Sequence, residues 1–405
     1  MQPQYLKGIR VADFSWAGAG PFCTKIFSDF GAEVLKMESM TRPDSVRTAG
    51  PFKDGVAGTN RSGYFASRNT GKKSVSLNLK DPEARELALE IIIKSDVVAN
   101  NFGPGVMERL GFGYEQLKEI KPEIICLSMP TCGRTGPRAN LLGVGMTISA
   151  FTGMMRHTAY GPGDSVGPGT HYPDHAANPY HAAFAVLAAL RYRRKTGKGM
   201  NIDLAQTEST ANFLGASVVE TSMTNSEPPQ IGNHSRAFSP HNIYAAAGAD
   251  EWVALAIYED ADWLKLCTAM GRPELGADPA LKQVQSRLSK AKEIDNVVQD
   301  WMRQHTAQHI VSILRQCDLA VAKVQNSRDL VEDDEQLAVS HYFQQVMHPE
   351  VGAILLNSPP FLIDHQRVEL KRPPLFGEHT DEVLQSLLCV TPERLASLRS
   401  GEALK

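Results

Sequence analysis

The sequence has little of what would mark a secreted, nucleic-acid-binding or membrane-spanning protein. Six cysteines in 405 residues (Cys23, Cys126, Cys132, Cys267, Cys317 and Cys389) stand far apart, with no C-x-x-C pair. The chain is much longer than a disulfide-stapled scaffold, so they read as reduced thiols of a cytoplasmic protein. Charge of one sign is missing as a block: 42 Lys and Arg against 45 Asp and Glu give a net charge of −3. A nucleic-acid partner requires a basic face to exchange against counterions, so none is expected. The best bilayer candidate, Ala139 to Met155, contains Asn140, three glycines, two threonines and Ser149. It reads as an interior segment of small residues, and a soluble protein with no membrane contact is expected. The start, MQPQYLKGIRVADF, shows no basic stretch followed by an apolar one. The twelve histidines are scattered, with no H-E-x-x-H motif, cysteine cluster or Walker A pattern, and no metal is expected.

What is there is an ordinary globular composition, 42% hydrophobic and 21% charged, in a chain long enough for two or three domains. The first third alternates strand-like and helix-like periods. Ile9 to Phe14 reads as a strand, PFCTKIFSDF as a helix stopped by Gly31, and Glu33 to Met37 as the next strand. The pattern repeats through strand Ser74 to Leu79, helix PEARELALEIIIKS, strand Asp96 to Phe102, helix GVMERL and strand Glu123 to Met129. This alternation predicts an α/β fold with a parallel, doubly wound, Rossmann-like sheet. Tyr180 to Lys195 predicts a strong helix ended by Gly197 among Arg193, Arg194 and Lys195, cations suited to the negative end of its dipole. Composition changes at about Ser226, into a Pro- and Gly-rich linker, and again at about Asn326. These breaks divide the chain into residues 1–225, a smaller α+β unit at 226–325, and a return segment at 326–405.

Several motifs can be set against blander readings. The turn SWAGAGPFC, with Glu38 closing the next strand, imitates a dinucleotide-binding fingerprint, but Cys23 replaces the third glycine. Pro21 also removes a helix N–H that would hold pyrophosphate, so a plain tight turn is favoured over NAD(P) binding. Gly163-Asp164-Ser165-Val166-Gly167 matches G-x-S-x-G, yet Pro162 and Pro168 flank it where a strand and a helix are required. More telling is Tyr172 to His181. Asn178 followed by Pro179 predicts a capped helix start, which leaves Asp174 free of capping duty near the positive helix end, where ionisation is favoured. Residue types alone leave Asp174 as either a solvated loop acid or a nucleophile.

Five segments in order, GIRVADFSWAGAGPFCTKIFSDFGAEVLKME, NTGKKSVSLNL, NNFGPGVMERLGF, the PDHAANP to IDLAQ block and PLFGEHTDEVL, resemble the family III CoA-transferases. That group includes formyl-CoA and carnitine CoA-transferases, and the resemblance runs nearly full length. It implies an interlocked dimer, homomeric or with a homologous chain, in which the small domain is inserted in a large Rossmann-like one. It implies coenzyme A thioesters as substrates and no prosthetic group. By the same resemblance Asp174 is the catalytic nucleophile, forming aspartyl anhydride and aspartyl-CoA thioester intermediates. Ala17, Gly18, Lys72, Asn101, Phe102, Arg109 and Leu110 are implied to bind CoA, with Lys72 and Arg109 neutralising phosphates. Asp174 stands one residue further from Thr196 than the family spacing, and His175 occupies the unshifted position. The Asn178-Pro179 pair is read as a one-residue insertion. The linker GNHSRAFSPHNIY and the DHAANP loop are most similar to the branch that uses succinyl-CoA and aryl-dicarboxylates such as benzylsuccinate. Two alternatives share the fold: an α-methylacyl-CoA racemase, whose Gly-His-Asp stretch reads Gly143-Val144-Gly145-Met146 here and lacks the base, and a non-catalytic CoA-binding partner subunit.

Overall fold

The computed structural model describes residues 4–405. Six parallel strands form one sheet: β1 (Arg10–Asp13), β2 (Glu33–Glu38), β3 (Lys73–Ser76), β4 (Val97–Asn100), β5 (Ile125–Ser128) and β6 (Met200–Asp203). Their spatial order is β3-β2-β1-β4-β5-β6, so the winding reverses between β1 and β4. In open α/β sheets that reversal opens a crevice beyond the carboxyl ends of the strands, where ligands bind.

Alternation along each strand explains why both faces are covered. Val11, Val34, Val97, Ile125 and Leu127 point to one side, where Ala19, Cys23 and Phe27 meet Ala182, Ala183, Val186 and Ala189. The small residues of helix Asn178–Thr196 let it lie close to helix Ala19–Asp29. Ala12, Leu35, Val75 and Val98 point to the other side, against Leu87, Ala88 and Ile91 of helix Pro82–Ile93 and Val383, Leu384 and Leu398 near the C-terminus. Strands buried on both faces read as largely apolar runs, as the central strands β4 (VVAN) and β5 (ICLS) do.

Two compact units divide the chain. The first runs up to Met155 and takes in Gly167–Glu227 and Gln336–Lys405; the second comprises Arg156–Val166 and Pro228–Glu335. The second unit holds an antiparallel sheet, β7 (His241–Ala245), β8 (Trp252–Ala256) and β9 (Ala320–Lys323), in that order. Trp263, Leu266, Val298, Met302, Ile310 and Leu314, from three amphipathic helices, form its own core. The first unit also carries a hairpin, β10 (Phe343–His348) and β11 (Gly352–Asn357). Among the described residues, no helix is long and apolar enough to cross a membrane, and no group of three or more His, Cys, Asp or Glu side chains could hold a metal ion.

The start of helix Asn178–Thr196 departs from expectation. Asn178 is not its cap: its φ and ψ are helical, and it is fully buried, with Nδ2 donating to Gln206 Oε1 at 3.2 Å. Pro173–Ala177 forms a π-helical turn running directly into the helix, closed by the Asn178 N–H donating to the Pro173 carbonyl. A π turn holds one residue more than an α turn.

Candidate active site

The site begins with a charge buried at the end of β1. Asp13 is fully buried and accepts hydrogen bonds from the Ser15 N–H at 3.0 Å, Thr24 Oγ1 at 2.6 Å and Lys72 Nζ at 3.0 Å. Burial alone would raise its pKa, but Lys72 and Lys36 hold the carboxyl below the usual range. Lys36 Nζ in turn donates to the Ser15 carbonyl and to Asp44, both at 2.9 Å, and Asp44 accepts the Ala17 N–H at 2.9 Å. Asn101 grips the same turn from β4: its Oδ1 accepts the Trp16 N–H at 2.9 Å and its Nδ2 donates to the Trp16 carbonyl at 2.7 Å. These bonds fix Ala17 in the left-handed region, at φ 60°.

One side of this turn faces a cavity of about 660 Å³ at the winding reversal. Of the residues implied to bind CoA, Ala17, Asn101, Phe102, Arg109 and Leu110 line it; Gly18 and Lys72 do not. Trp16 stands edge-on to Phe102, with ring centroids 5.8 Å apart. The Arg42 guanidinium lies 5.0 Å from the Trp16 ring centroid. Arg42, Lys80 and Arg109 are exposed where they line the cavity, and none forms an ion pair among the described residues. Such a pocket, apolar inside with unpaired cations around it, suits an anionic molecule with a flat apolar part.

Lys72 is placed elsewhere. Its Nζ is buried and donates to Asp13, to the Pro21 carbonyl at 2.9 Å and to Thr24 Oγ1 at 2.7 Å, so its three hydrogens are all engaged. Burial brings its pKa down to about 8, with Asp13 opposing. It ties the first turn to β3 and presents no donor to a phosphate. Glu38 is likewise engaged, by a two-pronged pair with Arg47 at 2.9 and 2.7 Å.

The other side of the turn meets Asp174. A Cβ built on Gly18 would fall 2.8 Å from Asp174 Cβ, so only glycine lets the carboxylate approach the start of helix Ala19–Asp29. A Cβ on Gly145 would fall 2.9 Å from Asp174 Oδ2, and the Gly145 N–H donates to that oxygen at 3.3 Å. Asp174 is 8% exposed. It is therefore no solvated loop acid. Burial pushes its carboxyl above the usual carboxylate range, against the opposing pull of His171, the Gly145 N–H and Arg68. The sequence expectation that ionisation is favoured here does not carry the balance: desolvation outweighs the favourable groups. His175 is turned differently. Its Nδ1 lies 3.3 Å from Thr170 Oγ1, and burial, with Arg68 and His171, pushes its pKa down to about 4, leaving it neutral.

Sequence reasoning missed Trp16, Arg42 and Lys80 on the cavity, and Arg68 and Gly145 around the carboxylate. Only for Gly145 was there a signal: the stretch Gly143 to Met146, set aside for lacking a base, supplies the N–H that Asp174 accepts.

The comparisons with known proteins bear on the family of the chain. The model of CoA-transferase family III matches residues 6–380. The chain is 31% identical to the succinyl-CoA–L-malate CoA-transferase beta subunit of Chloroflexus aurantiacus, over 98% of each chain. It is 28% identical to the formyl-CoA:oxalate CoA-transferase of Streptomyces coelicolor, over 99% of each. A CAIB/BAIF family protein from Brucella suis superposes with a TM-score of 0.87 at 25% identity, covering 95% of this chain and 100% of that one. With a matched family model over nearly its whole length, the chain belongs to CoA-transferase family III and is a CoA-transferase.

Proposed function

We propose that Asp174 is the covalent nucleophile of this transferase, that the cavity at the winding reversal holds the CoA nucleotide, and that the acids exchanged are dicarboxylic, with succinyl-CoA as donor. The observation that carries the reading is the two-sided first turn. Ala17 faces a cavity ringed by unpaired cations, while its neighbour Gly18 touches a buried carboxylate. A CoA thioester laid along that turn would put its phosphates near Arg42, Lys80 and Arg109 and its acyl end near Asp174.

The chemistry runs through four attacks, each on a carbonyl carbon. The ionised Asp174 carboxylate attacks the donor thioester; the C–S bond breaks, giving an acyl-aspartyl anhydride and CoA thiolate. The thiolate attacks the aspartyl carbonyl and releases the donor acid, leaving an aspartyl-CoA thioester. The acceptor carboxylate then attacks that thioester, forming a second anhydride and thiolate. Attack of the thiolate on the acceptor's acyl carbon gives the new acyl-CoA and returns the Asp174 carboxylate. No proton moves in any step, which fits a site holding no general base at Gly143 to Met146. The anhydrides hydrolyse in water, so burial protects them and also strips hydration from the attacking carboxylate. Succinyl-CoA as donor and a dicarboxylic, aryl-substituted acceptor rest on likeness to the branch using such acids, and on a relative named for succinyl-CoA and L-malate. Incubating the enzyme with succinyl-CoA and a panel of acids, with products read by mass spectrometry, tests it. Transfer confined to formate, oxalate or carnitine would refute the dicarboxylate reading.

Gly18→Ala probes the contact. The added methyl must displace Asp174 or the turn, so turnover is expected to fall at least about tenfold, since a misplacement near 1 Å can lower rates about 100-fold. Unchanged kcat/KM would contradict it. The pH profile follows from the ionisation of Asp174. Its protonated form is no nucleophile, so kcat/KM should fall as pH falls, with an apparent pKa above that of an ordinary carboxylate. A limb at or below the usual carboxylate value would count against Asp174.

The exposed Phe184, Phe213, Val218, Val219 and Met223 give the first unit an apolar face, which supports the dimer implied by the family. Light scattering over a dilution series should show no folded monomer; a stable monomer would overturn it.

A further inference from the structure

One buried cation near the carboxylate has no counter-ion. Arg68, the last residue of helix Gly63–Arg68, is 8% exposed. No carboxylate pairs with it among the described residues, and its Nε has no hydrogen-bond partner. Its guanidinium lies 4.7 Å from the Phe22 ring centroid and 5.5 Å from that of Tyr64. Burying a guanidinium without an opposite charge is strongly unfavourable. What compensates it at rest is the more distant charge of Asp174, with the Tyr64 and Tyr180 hydroxyls beside it.

That compensation cannot last through the covalent cycle. An anhydride or thioester on Asp174 carries no charge, so acylation leaves Arg68 with the Tyr64 and Tyr180 hydroxyls beside it but no carboxylate to offset its charge. Beside it, His175 packs edge-on to Tyr64, with ring centroids 6.2 Å apart. Its Nε2 is buried and has no partner. In the tautomer whose Nδ1 accepts from the Thr170 hydroxyl, the ring proton sits on Nε2, which is then a second donor without an acceptor.

We propose that Arg68, aided by His175 Nε2, binds the unreacting carboxylate of a dicarboxylic donor or acceptor. The proposal rests on Asp174 being the nucleophile. A second carboxylate supplies an anion to Arg68 at the stage when Asp174 has given up its own. A monocarboxylic acyl group leaves the cation unpaired, so the same contact both binds dicarboxylates and rejects their monocarboxylic counterparts.

The test compares succinyl-CoA with butyryl-CoA, which has the same four-carbon chain ending in methyl. In the wild-type full-length enzyme kcat/KM should favour succinyl-CoA on the order of 100-fold. Arg68→Gln should erase most of that preference, chiefly by raising KM for succinyl-CoA, so that the loss in kcat/KM for succinyl-CoA exceeds that for butyryl-CoA at least about tenfold. Arg68→Lys, which keeps the charge, should retain part of the preference. Free succinate should inhibit the wild-type enzyme at least about tenfold more strongly than butyrate. That comparison decides the matter even if Arg68→Gln does not fold. Equal losses for both donors in Arg68→Gln, or equal inhibition by the two acids, would overturn the assignment. Hydroxylamine labelling of Asp174 by both donors alike would remove only the role of Arg68. No labelling and no transfer with either donor would remove the reading of the site itself.

Discussion

Replacing Asp174 by Asn is expected to lower CoA transfer on the order of 10⁴-fold or more, because Asp174 serves as nucleophile, as attacked carbonyl or as leaving group in each of the four attacks. The change keeps the side chain's shape, and the new amide can still turn its oxygen to the Gly145 N–H. Stability should change little, because two effects oppose. Burial disfavours the ionised carboxylate, so a neutral amide removes a charge that folding must desolvate. The same change takes from buried Arg68 a charge that offsets its own. CoA affinity, measured by calorimetry, should be retained, since the cavity lies on the far face of the first turn. Loss of transfer together with loss of folding, or turnover close to that of the wild type, would contradict this.

Lys72→Met separates two roles for one residue. Resemblance to the family implies a phosphate contact, but the structure engages all three Nζ hydrogens with Asp13, Pro21 and Thr24. Removing the ammonium leaves the Asp13 carboxylate buried without its nearest counter-charge, which costs about 3–5 kcal/mol. The expected result is a clear drop in the urea denaturation midpoint, with CoA affinity in the protein that remains folded altered less than about threefold. Arg42→Ala should do the reverse, weakening CoA binding with no measurable change in midpoint. A Lys72→Met protein of normal stability that has lost CoA would restore the phosphate contact.

These two residues also mark where the sequence is legible. Strands such as Glu33–Glu38 and Ile125–Ser128 are readable because apolar runs bounded by Gly and polar residues repeat at βα spacing, and the parallel sheet follows. The stop at Gly197 is readable because it takes φ 71°, as a helix-ending glycine does. Asn178 is misread because a local cap signal cannot reveal that the preceding residues continue as a π turn. The buried surroundings of Lys72 are illegible for a related reason: sequence gives its charge, not that Asp13, 59 positions earlier, lies within 3.0 Å. Trp16, Arg42 and Lys80 become neighbours only when β1, β2 and β3 align side by side, a juxtaposition with no local pattern. Arg68 carries no signal at all in sequence; its interest lies in what it lacks, which only the packed structure reveals.

The covalent role of Asp174 is tested most directly by trapping. The enzyme is incubated with succinyl-CoA and hydroxylamine, then digested and mapped by mass spectrometry. Attack of hydroxylamine on the aspartyl carbonyl of the anhydride or thioester releases the acid or CoA and leaves a hydroxamate. The account predicts that this modification appears on the peptide containing Asp174, depends on succinyl-CoA, and is absent from Asp174→Asn. A hydroxamate on any other peptide, or none while transfer proceeds, would contradict it.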